Sequence, residues 1–503
     1  MAAAASLQSS LSRRLTTQDA SFLYGESIHG PMHIGSVSLF DGRLEFDSLV
    51  RQLEQRLHLI PRYRQRLNFV PFNLHHPTWE DDPTFQLSNH LKLHKLPPGT
   101  TEEQATRMAM DVHATILDRS RPLWEMHLFD ALEDGRSLLL WKIHHCMVDG
   151  VSGIELSTVV MDFEPEPPAT EPPGQPWSPA SPAAPDASMV EAALDMAQQQ
   201  IDAARRNQTI YRQPSNVTER VQLLTTAGRV ISTMVSQPVV PAPWNTPPVT
   251  RARSLAWARM SFGEVRGIRG VLGGTVNDVV LALLSEGAGR YLQEHGVNVR
   301  GQQMRIGCPV NVRKEGESGA LGNRVSMMFP TMPAEPMDPV SRLAAVRKET
   351  DRIKAAREPQ ALELMMESQD AVAPALMATA SFAMNSASDA RATFAIPQLP
   401  TAPTLQLPAF GLNFVATNVP GVQVPQYLDG KRMTDTIGLM PLGGNLGYGV
   451  AIGSYNQQLY IGMMAEPRVM PDVHRMKFHV EAAYADLLAV ATAASNSSAA
   501  PGA

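Results

Sequence analysis

The sequence has few cysteines, no excess of basic residues and no long apolar run. Only two of its 503 residues are cysteine, Cys146 and Cys308. A disulfide scaffold needs more, so a reducing compartment is expected. The 43 Lys and Arg residues are outnumbered by 49 Asp and Glu residues. This balance lacks the basic excess typical of nucleic-acid-binding proteins, and we predict no nucleic-acid partner.

Membrane-spanning and secretion signals are also absent from the sequence pattern. No stretch reaches the length of about 18 apolar residues that a transmembrane helix requires. The first 14 residues are rich in Ala and Ser and end with Arg13 and Arg14. They therefore lack the order of a basic region followed by an apolar region that marks a signal peptide. We expect a cytoplasmic protein, with peripheral attachment to the inner membrane face or to lipid droplets left open.

The composition and length of the chain indicate a large α/β protein. Hydrophobic residues make up 44% of the chain and charged residues 18%, which is enough apolar material for sizeable cores. The length is too great for one ordinary core and favours two domains of about 200 residues each. A proline-rich stretch from 164 to 186 cannot continue a helix or a central strand. We therefore predict an N-terminal domain (1–163), a proline-rich and helical crossover (164–252) and a C-terminal domain (253–503).

Hydrophobic periodicity predicts alternating strands and helices in both domains. Predicted strands cover 32–40, 137–145, 304–312, 324–329, 411–418, 448–455 and 458–464. Predicted helices cover 46–57, 101–117, 151–162, 188–206, 217–236 and 275–295. Thr275 and Asp278 are spaced as a capping box at the start of the last of these helices.

One motif carries the chemistry. Residues 144–150 read HHCMVDG and follow a strand that reads as buried, with a sharp turn predicted at its Asp-Gly pair. A histidine at a strand end suits general-base catalysis because its pKa lies near neutrality. From spacing alone, a metal pair and ordinary core histidines remain alternatives. The metal alternative is the weaker one, because strand neighbours point to opposite faces and no Cys/His set lies nearby.

The motif matches the HHxxxDG signature of CoA-dependent acyltransferases related to chloramphenicol acetyltransferase and to peptide-synthetase condensation domains. Further segments appear in order along nearly the whole chain: QDASF (18–22), Glu26, PMH (31–33), PLWE (122–125), ND (277–278), GCPVNVR (307–313), LGN (321–323) and TNVPG (417–421). Together they resemble the bifunctional wax ester synthase/diacylglycerol acyltransferase family. The chain departs from the family's SNVPGP pattern at Thr417, which keeps a hydroxyl, and at Val422.

The resemblance implies a fold and an activity. It implies two chloramphenicol-acetyltransferase-like α/β domains joined by a long crossover, with an active-site tunnel between them. It implies transfer of a fatty acyl group from acyl-CoA to diacylglycerol or to long-chain alcohols, with acyl-CoA as a substrate and neither a cofactor nor a metal. A carrier-protein-dependent condensation enzyme and a non-catalytic lipid- or CoA-binding relative remain alternatives.

The resemblance also assigns roles within the motif. His145 resembles the family's catalytic base, and His144 resembles the histidine that supports it. Asp149 is expected to hold the loop by pairing with an arginine, for which Arg313 is the candidate, while Gly150 allows close backbone approach.

Outside the motif, some side chains are candidates for binding substrate or the oxyanion: Asn277, Thr417, Asn418 and Glu26. Two of these assignments have simpler alternatives, because Glu26 also fits a helix-surface carboxylate and Asn277 lies beside the capping residue Asp278. We expect Asp278 to be structural and Trp124 to be a packing residue.

An apolar pattern in the crossover predicts one more surface. Its members share a face of the helix predicted over 217–236: Val221, Leu224, Val230, Ile231 and Met234. We expect this face either to dock on a membrane or lipid droplet or to pack against the two domains.

Overall fold

The computed structural model describes residues 14–69, 73–147, 157–170, 172, 174–180, 214–246, 250–311, 325–367, 376–379, 381, 411–444 and 446–499. The helices are α1 (Thr17–Gly25), α2 (Phe46–Arg56), α3 (Glu102–His113), α4 (Pro214–Ser236), α5 (Phe262–Leu272), α6 (Val276–Glu294), α7 (Pro339–Ala355), α8 (Glu358–Glu367) and α9 (Val473–Ala499). The strands of the N-terminal half are β1 (His33–Phe40), β2 (Gln65–Asn68), β3 (Thr78–Asp81), β4 (Leu91–His94), β5 (Trp124–Phe129) and β6 (Ser137–His144). Those of the C-terminal half are β7 (Ser254–Ser261), β8 (Gln303–Asn311), β9 (Val325–Met328), β10 (Thr331–Pro333), β11 (Phe414–Val419), β12 (Tyr427–Leu428), β13 (Lys431–Leu439), β14 (Tyr448–Tyr455) and β15 (Gln458–Ala465).

The first sheet has the strand order β12–β13–β1–β6–β5–β4. Strand β6 lies at its centre, antiparallel to β1 on one side and to β5 on the other. Every residue of β6 is buried, which agrees with the continuous apolar run in its sequence. Strand β6, which leads into the HHCMVDG motif, is therefore hydrogen-bonded to a neighbouring strand on each side.

The second sheet has the strand order β10–β8–β11–β14–β15–β7, and β9 pairs with β8. Strand β11 is parallel to both β8 and β14, whereas β15 is antiparallel to β14 and β7. A separate apolar core lies against this sheet and includes most of the buried face of α6. Strands β2 and β3 form a small third sheet. The mixed α/β architecture with two large sheets confirms the predicted fold class.

The C-terminal half of the chain contributes strands to the first sheet. Strands β12 and β13 come from the C-terminal half but complete the first sheet, where β13 pairs with β1 from Gly35↔Leu439 onward. Strand β13 also packs across the second sheet, because a Cβ built on Gly462 of β15 would lie only 2.9 Å from the carbonyl oxygen of Gly438. This crossing between the sheets was not predicted from the sequence.

Helix α3 is shorter than the predicted helix over 101–117, and a buried lysine explains where it ends. Lys142 of β6 is completely buried and donates to the carbonyl oxygens of Val112 (3.2 Å) and Thr115 (2.5 Å). It thereby adds a hydrogen bond to a carbonyl group in the last turn of the helix and another to a carbonyl group just beyond it. Burial lowers the pKa of Lys142 to about 8, although Glu125 at 3.6 Å raises it.

The predicted apolar residues of α4 lie within one broad sector of the helix, but the structure buries only part of that sector. Val230 and Met234 are buried in a small core with Ala361 and Leu362 of α8. Val221 and Leu224 face outward, with 58% and 48% of their surface exposed. Val235, which the prediction did not include, is 63% exposed and continues this outer stripe.

Most predicted elements within the described residues were found, with ends shifted by one to three residues. The helix predicted over 275–295 corresponds to α6, and Thr275 and Asp278 form the predicted capping box. The helix predicted over 188–206 lies outside the described residues. In the described part of the chain, no single helix is long and apolar enough to span a membrane, and α5 with α6 reaches that length only as a pair bent by 97°.

Candidate active site

His145 is the first residue after β6, and its backbone and side chain are both held by the N-terminal segment. Its N–H donates to the carbonyl oxygen of Met32, just before β1, at 2.8 Å. Its imidazole lies flat against the phenyl ring of Phe22 in α1, with 3.7 Å between ring centroids and 6° between ring planes. The residue is only half-buried, so the strand end presents an oriented imidazole at the edge of the core.

His144 is oriented the other way and is only 1% exposed. Its Nδ1 accepts a hydrogen bond from the backbone N–H of Cys146 at 3.1 Å. The Nδ1 atom must therefore be unprotonated, and the hydrogen of a neutral ring lies on Nε2. That Nε2 is 3.5 Å from Oε1 of Glu26. Both ring nitrogens of His144 thus face protein groups in the interior.

Glu26 is not a helix-surface carboxylate, because its side chain is only 2% exposed. Its Oε1 accepts the backbone N–H of Met32 at 3.1 Å and lies 3.4 Å from Nε2 of His33. Its Oε2 accepts a hydrogen bond from Arg119 at 2.9 Å. Burial by itself raises the pKa of Glu26, but the approach of His144 and His33 outweighs burial and holds this pKa well below its usual value.

His33 completes this buried cluster. Its Nδ1 lies 3.1 Å from the carbonyl oxygen of His113 and must carry a hydrogen to donate there. A second proton, on Nε2, would face Glu26. Burial opposes that proton and lowers the pKa of His33 to about 4, although Glu26 raises it.

The contacts around Glu26 converge on the backbone of His145. Met32 binds Glu26 through its N–H and His145 through its carbonyl oxygen. His144 lies against Glu26 through Nε2 and accepts the N–H of Cys146 through Nδ1. The peptide groups on both sides of the His145 side chain are therefore tied to the same carboxylate.

Cys146 does not add a nucleophile to the site. Its side chain belongs to the N-terminal core, and burial raises the pKa of its thiol well above the usual 9.0. The reactive thiolate form is therefore suppressed. Trp124 is also a core residue, since it is fully buried and donates through its indole N–H to the carbonyl oxygen of Tyr63 at 2.9 Å.

The C-terminal half contributes a second polar group. Asn277, at the start of α6, and Asn418, in β11, meet through a hydrogen bond of 3.4 Å between their side-chain amides. Thr417 precedes Asn418 in the same half-buried strand. The structure thus brings together amide groups from two of the segments selected as binding candidates.

Asp278 is occupied by structural contacts. Its carboxylate accepts the N–H of Thr275 at 2.8 Å and the hydroxyl of Thr350 at 2.7 Å, and the residue is 3% exposed. These contacts link the start of α6 to α7. Asp149, Gly150 and Arg313 lie outside the described residues, so the expected pairing of Asp149 with Arg313 remains a prediction.

Sequence reasoning assigned no role to Phe22, His33 or Arg119, although each touches the site. Phe22 and His33 fall within the family-like segments QDASF and PMH, which was the available signal. Arg119 lies in no such segment. In the described part of the chain, no group of three or more His, Cys, Asp or Glu residues is arranged to hold a metal ion.

Comparison with known proteins agrees with this architecture. The wax ester synthase/diacylglycerol acyltransferase catalytic domain matches residues 15–280, and the C-terminal domain of that family matches residues 321–488. A Mycobacterium tuberculosis protein named as a probable diacylglycerol O-acyltransferase is 29% identical over 483 residues, covering 95% of this chain and 96% of the relative. A second protein of that organism with the same description is 24% identical over 486 residues, covering 93% of this chain and 97% of the relative.

Solved structures show the same fold. The wax ester synthase/diacylglycerol acyltransferase from Marinobacter aquaeolei aligns over 95% of this chain and 100% of its own, with a TM-score of 0.62 at 22% identity. The first condensation domain of the calcium-dependent antibiotic synthetase aligns over 96% of this chain and 97% of its own, with a TM-score of 0.57 at 14% identity. Because the catalytic-domain model alone matches more than half of the sequence, the chain belongs to the wax ester synthase/diacylglycerol acyltransferase family.

Proposed function

We propose that this protein transfers a fatty acyl group from acyl-CoA to the hydroxyl group of diacylglycerol, and also to long-chain alcohols, with His145 as the general base. The observation that carries the proposal is the difference between the two histidines of the motif. Both nitrogens of His144 face protein groups in the interior. His145 is half-buried and held in one orientation at the strand end.

The reaction follows from this arrangement. The imidazole of His145 takes the proton of the acceptor hydroxyl as its oxygen attacks the thioester carbonyl carbon. The tetrahedral intermediate then collapses, the C–S bond breaks, and the CoA thiolate leaves and takes the proton from the imidazolium. Both substrates are present together, so no covalent acyl-enzyme forms, and neither a cofactor nor a metal is required.

The developing oxyanion needs hydrogen-bond donors close to the carbonyl oxygen. The amides of Asn277 and Asn418 and the hydroxyl of Thr417 supply donors from the C-terminal half. The 3.4 Å hydrogen bond between the two amides is long for its class.

Product analysis with the purified full chain tests the activity. Labelled palmitoyl-CoA is supplied with dioleoylglycerol, with hexadecanol, or with neither, and lipid products and CoA release are measured. Triacylglycerol or wax ester formed together with an equal amount of CoA supports the proposal. CoA release without a lipid product, or acyl transfer only from a carrier protein, contradicts it.

The same assay tests the base. We expect His145→Ala to lower turnover by about a hundredfold to ten-thousandfold, the range for loss of a general base, while the circular dichroism spectrum stays unchanged. His474→Ala is the control, because His474 is exposed on α9. A folded His145→Ala protein with near-normal turnover would rule out this mechanism.

We also propose that the outer stripe of α4, formed by Val221, Leu224 and Val235, docks the protein on a lipid surface. These side chains are 48–63% exposed, and their spacing of three and eleven residues keeps them on one side of the helix. The acceptor proposed here is itself a lipid, so a surface that holds the protein at lipid brings the active site to its substrate. Amphipathic helices bind bilayers by burying an exposed apolar face at the membrane–water interface, and this stripe is the part of α4 proposed to do so.

Charge-matched variants test the docking proposal. Leu224→Glu with Val235→Glu should weaken binding to phosphatidylcholine/phosphatidylglycerol liposomes while thermal stability stays near that of the native protein. Gln222→Glu with Ser236→Glu adds the same charge on a different side of α4 and should bind liposomes normally. Equal binding by both double variants would contradict docking through this stripe.

A further inference from the structure

The stacking of Phe22 on His145 stands out among the ring contacts of the described histidines. Its ring centroids are 3.7 Å apart and its planes differ by 6°. Phe85 lies 5.3 Å from His90 with a plane angle of 19°, and Phe129 lies 4.4 Å from His94 with an angle of 9°. The shortest and most parallel of these contacts is therefore made to the proposed base.

Core packing does not explain where Phe22 points. The buried residues of α1 are Ala20 and Leu23, which belong to the N-terminal core. Phe22 is only half-buried, as is His145. Helix α1 thus uses two side chains for the core and presents a third to the imidazole.

The helix that carries Phe22 is fixed at both ends. At its start the Thr16 hydroxyl accepts the backbone N–H of Asp19 at 3.0 Å. At its end Arg119 donates at 2.9 Å to the carbonyl oxygen of Leu23 and, also at 2.9 Å, to the Glu26 carboxylate. The phenyl ring is therefore held by the cluster that also ties down the backbone of His145.

We propose that Phe22 is a positioning residue for His145, an inference that rests on the proposed function of His145 as the base. A phenyl ring at 3.7 Å blocks rotation of the imidazole out of its plane. The two ring nitrogens therefore stay in a plane parallel to Phe22, and the acceptor hydroxyl meets the base within that plane. Such alignment matters because small displacements from the reactive geometry slow catalysis strongly.

The phenyl face has a second effect on the reaction. Its π electrons attract the imidazolium that forms when His145 takes the hydroxyl proton, and the attraction is smaller for neutral imidazole. Phe22 therefore stabilises the protonated base between proton uptake from the acceptor and proton release to the CoA thiolate. It also covers one face of the ring against water.

The test replaces the ring while keeping an apolar side chain. Phe22→Leu should lower kcat by about tenfold to a hundredfold while KM for acyl-CoA and for dioleoylglycerol changes little. Phe22→Tyr keeps the ring and should restore most of kcat. Because leucine excludes water but has no π face, the acidic limb of the kcat/KM profile should move to lower pH by about half a unit in Phe22→Leu.

Phe85→Leu is the matched control, because Phe85 stacks on a histidine of the same domain that has no proposed catalytic role. It should leave kcat and the pH profile unchanged. Melting temperatures of all variants are measured alongside, and Phe22→Tyr keeps the test decisive even if Phe22→Leu folds poorly.

The positioning role is wrong if folded Phe22→Leu keeps the native kcat or if Phe22→Tyr lowers kcat as much as Phe22→Leu does. It is also wrong if Phe22→Leu raises KM and leaves kcat unchanged. His145→Ala, run in parallel, separates this failure from failure of the proposed base. An inactive His145→Ala protein beside a fully active Phe22→Leu protein overturns the positioning role alone. An active His145→Ala protein overturns both.

Discussion

Replacing Glu26 by glutamine tests the buried cluster that ties down His145. The side chain keeps its size but loses its charge, and one acceptor oxygen becomes an NH2 donor. In the native protein, Oε1 of Glu26 faces the N–H of Met32 and two imidazoles, and Oε2 faces Arg119. Whichever way the amide turns, its NH2 group meets another donor on one side.

The expected loss of stability follows from these contacts. A buried hydrogen-bond donor that loses its acceptor costs about 1–3 kcal/mol, and Glu26 faces more than one such donor. Arg119 is 37% exposed, so water partly replaces its hydrogen bond with Glu26. The Arg119–Glu26 pair therefore contributes only as much stability as a surface ion pair does. We therefore expect Glu26→Gln to lower the free energy of unfolding by about 2–4 kcal/mol near pH 7. Most domains retain a folded majority after such a loss, since total stability is about 5–15 kcal/mol.

The pH dependence gives a second signature. The pKa of Glu26 is lowered in the folded protein from its ordinary 4.5, because the contacts with His144 and His33 outweigh the opposing effect of burial. The stabilisation is therefore complete above pH 4.5 and is lost as the pH falls below that value. Glutamine does not titrate, so the difference in the free energy of unfolding between the native protein and the variant should become smaller in acid.

Urea unfolding followed by tryptophan fluorescence near pH 7 and near pH 4 measures both quantities, and turnover is measured at neutral pH. We expect turnover to fall by about tenfold to a hundredfold, because the backbone of His145 loses a common anchor. Glu103→Gln is the control, since Glu103 and Arg107 form an exposed pair on α3. A Glu26→Gln protein as stable as the native one, or a gap of equal size at both pH values, would refute the reasoning.

Two further predictions concern packing and acid stability. Gly462→Ala should lower the free energy of unfolding by about 1–3 kcal/mol in urea titrations, because its Cβ would lie 2.9 Å from the carbonyl oxygen of Gly438. The control Gly267→Ala, in open space on α5, should be neutral or slightly stabilising, and equal stability of the two variants would contradict the packing argument. Burial holds the pKa of His113 well below 6.5 in the folded protein. As the pH falls below 6.5, His113 of the unfolded chain is therefore protonated while that of the folded protein stays neutral, and the free energy of unfolding decreases. His113→Leu should therefore make the fall in stability between pH 6.5 and about pH 5 shallower by up to ~1.4 kcal/mol per pH unit, whereas the exposed His474→Ala should leave the slope unchanged.

Local patterns in the sequence predicted the elements that local forces decide. The continuous apolar run 138–141 predicted the central strand β6, and the Thr275–Asp278 spacing predicted the cap of α6. The end of α3 was misplaced because it depends on Lys142, which reaches the helix from a strand about thirty residues later in the chain.

The apolar face of α4 shows the same limit. Periodicity placed five residues on one side of the helix, and they do lie within one broad sector. Periodicity does not say which part of a broad apolar sector another helix covers. Packing against α8 buried Val230 and Met234 and left Val221 and Leu224 outside.

The sequence by itself supplied the family-like motifs and the α/β class, because these depend on residue types and periodicity along the chain, and the resemblance carried by those motifs selected His145 as the proposed base. The tertiary structure alone decided how the base is held. His33, Arg119 and His144 meet Glu26 only because α1, β1, the end of β6 and the segment before β5 are brought together, and β13 joins β1 across about 400 residues of chain. Contacts at such separations depend on the register of paired strands and the packing of whole elements, and no local pattern encodes them.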